Sequence, residues 1–311
     1  MEEIIRIQTQ VATGRLTLPV AVVVCLSLWS AGFGGWDELA GLGILALTGY
    51  VMIEANTAFT LIRTRTSLPV SVYGLLVSSM CFLHPFQGSD LFPPAFLLAV
   101  TQLFRSYESP RPATPVYNAF LIIGTCSLFF PPAVWFIPLL TVSLVPFRSF
   151  SLKSVCACLL GLATPYWFLF GYTFWNGQTE RFIRPLKEMV TFAPLSYAHL
   201  SSAEAVSWAV ATGFLLVSAI HYGYVSYTDR TRTRIFHTFL AYAGGWTTVM
   251  TLLMPRYLDA LLPVQCICAA FLGGRLFTLT KNRFSGIFFV VIFASIIVLT
   301  VYNLWMHFFN S

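Results

Sequence analysis

Charge is what this chain has least of. Only 10% of its 311 residues are Asp, Glu, Lys or Arg, while 57% are apolar, 29 of the residues are Phe, and the mean hydropathy is +0.75. A soluble domain carries about 25% charged residues. A chain this poor in charge cannot cover a water-facing surface, so its solvent is largely lipid. The net charge of +6 comes with no basic run and no basic helix stripe, which removes nucleic acid as a partner.

Other absences narrow the chemistry. There is no Cys-x-x-Cys, and the two Cys-x-Cys pairs (Cys156 with Cys158, Cys266 with Cys268) put their sulfurs on different helix faces. All seven cysteines fall inside apolar runs, where they read as small buried hydrophobes rather than as a disulfide or metal framework. The five histidines form no His-x-x-x-His or Glu-x-x-His pair, so no metal site builds on one helix and no metal or cofactor is expected. A P-loop, a Gly-x-Gly-x-x-Gly helix start and a Gly-x-Ser-x-Gly elbow are all missing. Soluble nucleotide chemistry goes with them.

What is present is a succession of apolar runs. They predict helices near 17–34, 38–62, 68–86, 91–105, 114–130, 132–147, 152–175, 203–223, 235–253, 256–279 and 284–308. Runs of this length are not the alternating ten-residue pattern of a membrane barrel. The segments within 91–147 are short and bounded by Pro93, Pro94, Pro131 and Pro132, which leaves a tilted or re-entrant hairpin open there. The first run is read as an uncleaved span, since Glu2 and Glu3 suit a signal peptide poorly. With the N-terminus cytoplasmic, only Arg181, Arg184, Lys187 and Arg256 of the 18 basic residues fall outside. The expectation is an all-α polytopic membrane protein of about eleven transmembrane helices, one integral membrane domain over 1–311, with its C-terminus outside.

Against that frame a few polar residues stand out. GGWDELAG places Asp37 and Glu38 in the first outer turn, either capping the second helix and favouring its dipole, or serving as an outward carboxylate for acid–base work. Glu54, in YVMIEANTAFTLIR, lies eight residues from the inner end of its segment, roughly 12 Å at 1.5 Å per residue. With Asn56 beside it, it is an intramembrane polar site, suited to a proton or ion path or to a structural hydrogen bond.

The longest outer connection, about 176–202, carries Phe182, Leu186, Met189 and Val190 at helical spacing, with Arg181, Arg184 and Lys187 facing elsewhere. This predicts an amphipathic helix on the outer leaflet, its cations either snorkelling or contacting phosphate. LLMPRYLDALLPVQ then puts Arg256 and Tyr257 at the outer start of a helix, a place that favours anions, although Asp259 at i+3 could pair with Arg256.

Two resemblances follow from these segments. PRYLDALLPV resembles the "RY…LP" helix start found late in GT-C-type glycosyltransferases, polytopic enzymes that take sugar from a polyprenyl-phosphate donor at the outer face. GGWDEL stands where such enzymes carry an acid. That resemblance implies Asp37 or Glu38 as the catalytic carboxylate and Arg256 on donor phosphate. The chain departs from it in having a first outer loop of only a few residues and no Asp-x-Asp. EANTAFTLIRTRTSLP, the block LFPPAFLLAVTQLFRSYESPRPATPVYNAFLIIGTCSLFFPPAVWFIPLL, and LLGLATPYWFLFGYTFW are similar to a family of uncharacterised multi-pass inner-membrane proteins of Bacteroidetes-type bacteria. This second likeness implies a bacterial cytoplasmic membrane and no particular activity.

Three classes remain open. The first is a lipid-linked glycan enzyme using Asp37 or Glu38 with Arg256, Arg181 and Arg184. The second is a transporter or flippase built on Glu54. The third is a non-catalytic subunit docking other envelope proteins.

Overall fold

The computed structural model describes residues 2–31, 34–64, 66–190, 197 and 200–309, and these form thirteen α-helices joined by 3₁₀ turns, with no strand among the described residues. The pattern that reads as one membrane domain packs as two compact units, Met1–Gln87 with Ser196–Ser311, and Gly88–Leu195.

The first unit opens with α1 (Glu2–Thr13), α2 (Thr17–Ala31), α3 (Trp36–Phe59) and α4 (Leu68–Ser78). Helix α1 was not among the apolar runs, because polar and apolar residues alternate on it at helical spacing. It meets α2 at an angle of 83°. Its buried Gln8 donates from Nε2 to the carbonyls of Phe277 (2.7 Å) and Thr280 (3.0 Å) and to Ser285 Oγ (2.7 Å). Those two carbonyls lie where a helix end leaves acceptors unsatisfied, so one side chain of α1 closes that end.

The second unit holds α5 (Phe92–Ser106), α6 (Ala113–Cys126), α7 (Ile137–Ser143), α8 (Leu152–Trp175) and α9 (Thr179–Val190). Pro131 and Pro132 start a 3₁₀ turn, Pro131–Phe136, ahead of α7. Phe92, Phe96, Phe130 and Phe136 close the core with ring centroids 5.0–6.0 Å apart.

The chain then returns to the first unit through α10 (Ser202–Val225), α11 (Thr231–Leu253), α12 (Leu258–Leu279) and α13 (Arg283–Phe309). Helix α10 starts on a capping box, Ser201 and Glu204 each accepting from the other's backbone N–H. Helix α12 is apolar on every face, and a helix of that kind belongs in the interior. It packs against α10, α11, α4 and α1, and every residue from Ala260 to Thr278 is buried. Gly273 and Gly274 permit this approach: a Cβ on Gly273 would sit 2.2 Å from Phe214 Cζ, and one on Gly274 2.6 Å from Pro69 Cγ.

All eleven apolar runs carry an α-helix, but α4, α6 and α7 end well short of their runs. Among the described residues five elements are long and apolar enough to cross a membrane: Trp36–Phe59, Leu152–Trp175, Ser202–Val225, Pro255–Leu279 and Arg283–Met306. A sixth follows if the bent pair α1 and α2 counts as one broken span. Helix α4, with 11 residues, reaches only about 16 Å, half of a hydrocarbon core of about 30 Å. Helices α5, α6 and α7, with 15, 14 and 7 residues, also fall short of that thickness, and each has proline at or near its start.

Hydrogen bonds sort the first unit into two ends. At one, Trp29 Nε1 donates to Ser78 Oγ (3.1 Å), Phe86 N to Asp37 O (3.1 Å), and Asn303 Nδ2 to Ser79 O (2.9 Å) and Ser207 Oγ (3.2 Å). At the other, Gln8 ties α1 to α12 and α13, and Tyr222 OH donates to Arg234 O (2.9 Å). The described Lys and Arg residues of this unit follow the same division. Arg6, Arg15, Arg63, Arg230, Arg232, Arg234, Arg275, Lys281 and Arg283 stand at the second end and Arg256 alone at the first. Arg65 lies outside the described residues.

Candidate functional site

The acid-bearing end is built from α3 and the α11–α12 turn. Helix α3 starts at Trp36 with Gly35 as its N-cap, so Asp37 stands one residue inside the helix and does not cap it. Glu38 reaches back instead, its Oε2 accepting from Gly34 N at 2.9 Å. That contact satisfies a free donor at the helix start and accounts for Glu38 as a structural group. Asp37 is exposed, which leaves it the carboxylate open to solvent of the two.

On the same end of the unit, Pro255–Tyr257 forms a 3₁₀ turn between α11 and α12. Proline at its start fixes the turn, and Tyr257 N donates to Met254 O at 3.1 Å. Arg256 is exposed there, Tyr257 and Asp259 are half-buried, and Arg256 takes part in none of the three ion pairs found among the described residues. Tyr197 OH donates to Leu252 O at 2.7 Å, tying the preceding loop to the last turn of α11.

The expected amphipathic helix is present as α9, in the second unit. Phe182 meets Phe170 edge-on at 5.4 Å and Tyr166 OH contacts Met189 Sδ at 3.9 Å, so the apolar face lies on α8. Arg184 Nε pairs with Glu188 Oε1 at 3.0 Å, with side chains 81% and 46% exposed. A surface pair of that kind contributes about 0.3–0.5 kcal/mol and leaves the guanidinium accessible. Lys187 is exposed; the side chain of Arg181, and residues 191–196, 198 and 199 of the expected loop, lie outside what is described.

Glu54 is exposed on the surface of α3. Asn56 has a structural task, its Oδ1 accepting from Ile62 N at 3.2 Å across the turn that ends α3, where Thr60 adopts a left-handed conformation (φ 50°).

The most deeply buried charges are elsewhere, at the basic end, and neither stands out in the sequence as a candidate site residue. Arg275 in α12 pairs with Asp229 in the α10–α11 loop, Nη2 to Oδ2 at 2.6 Å and Nε to Oδ2 at 2.8 Å, with side chains only 2% and 6% exposed. Its guanidinium carbon sits 4.9 Å above the Tyr222 ring. Tyr222 in turn stacks on His237 (5.6 Å), whose Nδ1 lies 3.1 Å from Thr233 O and whose buried Nε2 has no partner. The available signal was AAFLGGRLFTL, an arginine within an apolar run rather than after it. A second buried polar group, Gln265, donates to Thr212 Oγ1 (2.9 Å) and Thr248 Oγ1 (3.0 Å) while its Oε1 has no partner.

Among the described residues no three His, Cys, Asp or Glu side chains cluster as metal ligands would. In comparisons with protein-family models, curated proteins and solved structures, the chain matches none of them.

Proposed function

We propose that this chain is a multi-pass protein of a bacterial cytoplasmic membrane, its arginine-rich end cytoplasmic and its Asp37–Arg256 end outside. There it acts on a polyprenyl-phosphate-linked sugar, as a GT-C-like glycosyltransferase or a related lipid-linked glycan enzyme. The membrane part is supported by the five long apolar helices and by large exposed side chains such as Val23, Trp167, Phe168, Val298 and Val301, which water would not solvate favourably.

The observation that carries the chemical part is the isolation of Arg256. It is the one described Lys or Arg of its unit at the acid-bearing end, exposed at the start of the buried central helix. A cation against the positive-inside bias needs a local partner, and a donor phosphate supplies one. In this reading the Asp37 carboxylate accepts the proton of the acceptor hydroxyl as that oxygen attacks the anomeric carbon. The bond from sugar to phosphate breaks, and Arg256 stabilises the charge left on the polyprenyl phosphate. Tyr257 lines the same turn. Arg184 and Lys187 of α9, with Arg181, bind lipid-borne phosphate in the outer leaflet.

The test compares glycan and lipid-linked oligosaccharide profiles, by mass spectrometry, in a deletion strain complemented with single variants. Asp37→Asn and Arg256→Ala each abolish the product at unchanged protein level, while Glu38→Gln retains it. Wild-type profiles from both of the first two remove the enzyme reading.

A transporter is the second reading, favoured by the buried Arg275–Asp229 pair and by Gln265 rather than by the exposed Glu54. It expects loss of function from Gln265→Leu and none from Asp37→Asn.

A further inference from the structure

Where α1 turns into α2, the first unit carries a cavity of about 490 Å³, open along one side, that no proposed chemistry at the other end uses. Its walls include Val20 and Val24 of α2, Leu75 of α4 and Phe293 of α13, and its polar lining is small, with Arg15 and Gln10 among it. Such a volume lies within the range of about 300–1,000 Å³ common to small-molecule sites. Walls this apolar offer a peptide backbone or a sugar almost nothing to hydrogen-bond, and burying either unsatisfied is costly. An alkyl chain loses nothing there.

Arg15 fixes what the chain is attached to. It is exposed, and it belongs to the basic end of the unit, together with Arg6, Arg63 and Arg283. Helix α1 buries Gln8 and Ala12 against the unit while Arg6 and Gln10 remain exposed, and it meets α2 at 83°, so it runs across the basic end instead of continuing α2. The cytoplasmic leaflet carries anionic lipid, which basic residues at that depth attract.

We propose that the α1–α2 elbow is a binding site for an anionic glycerophospholipid of the cytoplasmic leaflet, an acyl chain filling the cavity and the phosphate meeting Arg15. The site rests on the membrane-spanning part of the function proposed above and not on its glycan chemistry.

The experiment uses full-length protein in nanodiscs containing phosphatidylglycerol or phosphatidylcholine, each with a photoactivatable group on the acyl chain, and maps crosslinks by peptide mass spectrometry. Crosslinks fall on α2, α4 and α13, stronger with phosphatidylglycerol. Arg15→Gln lowers that preference about fivefold, the factor corresponding to the ~1 kcal/mol that one basic residue near an anionic surface contributes. Val20→Trp, which places an indole at the cavity, lowers crosslinking by both lipids. Equal labelling by the two lipids, unchanged by Arg15→Gln, marks a general lipid annulus and overturns the proposal. So does full labelling in Val20→Trp; should that variant fail to accumulate, the headgroup preference of Arg15→Gln decides, since an exposed side chain is not needed for folding. Release of the wild-type chain from membranes by alkaline carbonate would instead remove the membrane reading itself, whatever the crosslinks show.

Discussion

At the scale of single residues, the Arg275–Asp229 pair decides more than any group the sequence pattern singled out. Both charges are taken out of solvent, and their attraction roughly offsets what that removal costs. Taking away one partner is a different matter, because the other charge is left buried and alone. Arg275→Ala therefore loses about 3–5 kcal/mol of stability, read as a fall in the thermal midpoint of detergent-purified protein. Arg275→Met combined with Asp229→Leu recovers most of the loss, an outcome that a simple sum of two deletions would not give. Failure of the double variant to recover would show that Arg275 does its work through Tyr222, 4.9 Å below it. The residue was legible in AAFLGGRLFTL as an arginine within an apolar run. Its partner was not, because Asp229 lies 46 residues away in a short polar loop and spacing along the chain carries no record of that contact. Asp37 and Glu38 were legible as a pair, but their separation into an open carboxylate and a capping one depends on where the helix starts.

Among the helices, α12 sets the arrangement of the first unit. Its apolar residues on all faces mark it in the sequence as interior, yet hydropathy alone cannot distinguish a helix surrounded by protein from one surrounded by lipid. The difference lies in small residues at contact points, here Gly273 under Phe214 and Gly274 against Pro69. Phe214 is itself buried and stacked on Phe277 at 6.2 Å, so its ring has little room to yield. Gly273→Ala accordingly destabilises by about 1–3 kcal/mol, the usual range for an overpacked core. Phe214→Leu in the same chain restores part of it, measured by thermal unfolding in detergent. A neutral Gly273→Ala would mean that α10 and α12 slide apart more easily than this contact implies. Helix α9 shows the opposite case, an element read correctly from spacing because its two faces differ so sharply in polarity. Helix α1 also has two faces, but a half-polar helix contains no apolar run that would mark it in the sequence.

For the molecule as a whole, sidedness is the property on which the functional reading depends, and the structure bears on it only through the two ends of the first unit. Counting basic residues in alternate loops puts four of 18 outside. That count assumes eleven crossings, whereas among the described residues five or six elements have the length and apolarity for one. In the first unit the division needs no such assumption, since hydrogen bonds at each end show which helix termini lie together. Arg256 stands apart from the other described Lys and Arg residues there whatever the number of crossings. Helix type was legible because apolar runs of 15–25 residues have few other solutions, while span number was not, because proline and local packing decide how far each helix extends. Single cysteines in a background lacking the seven native ones test the arrangement in intact cells. At Asp37, Lys187 and Arg256 they react with a membrane-impermeant maleimide; at Arg63, Arg232 and Lys281 they react only after the membrane is opened. All three of the first set protected, with the second set labelled, would invert the topology and place Arg256 in the cytoplasm. There a lone arginine among many calls for no phosphate partner, and the glycan reading would lose its main support.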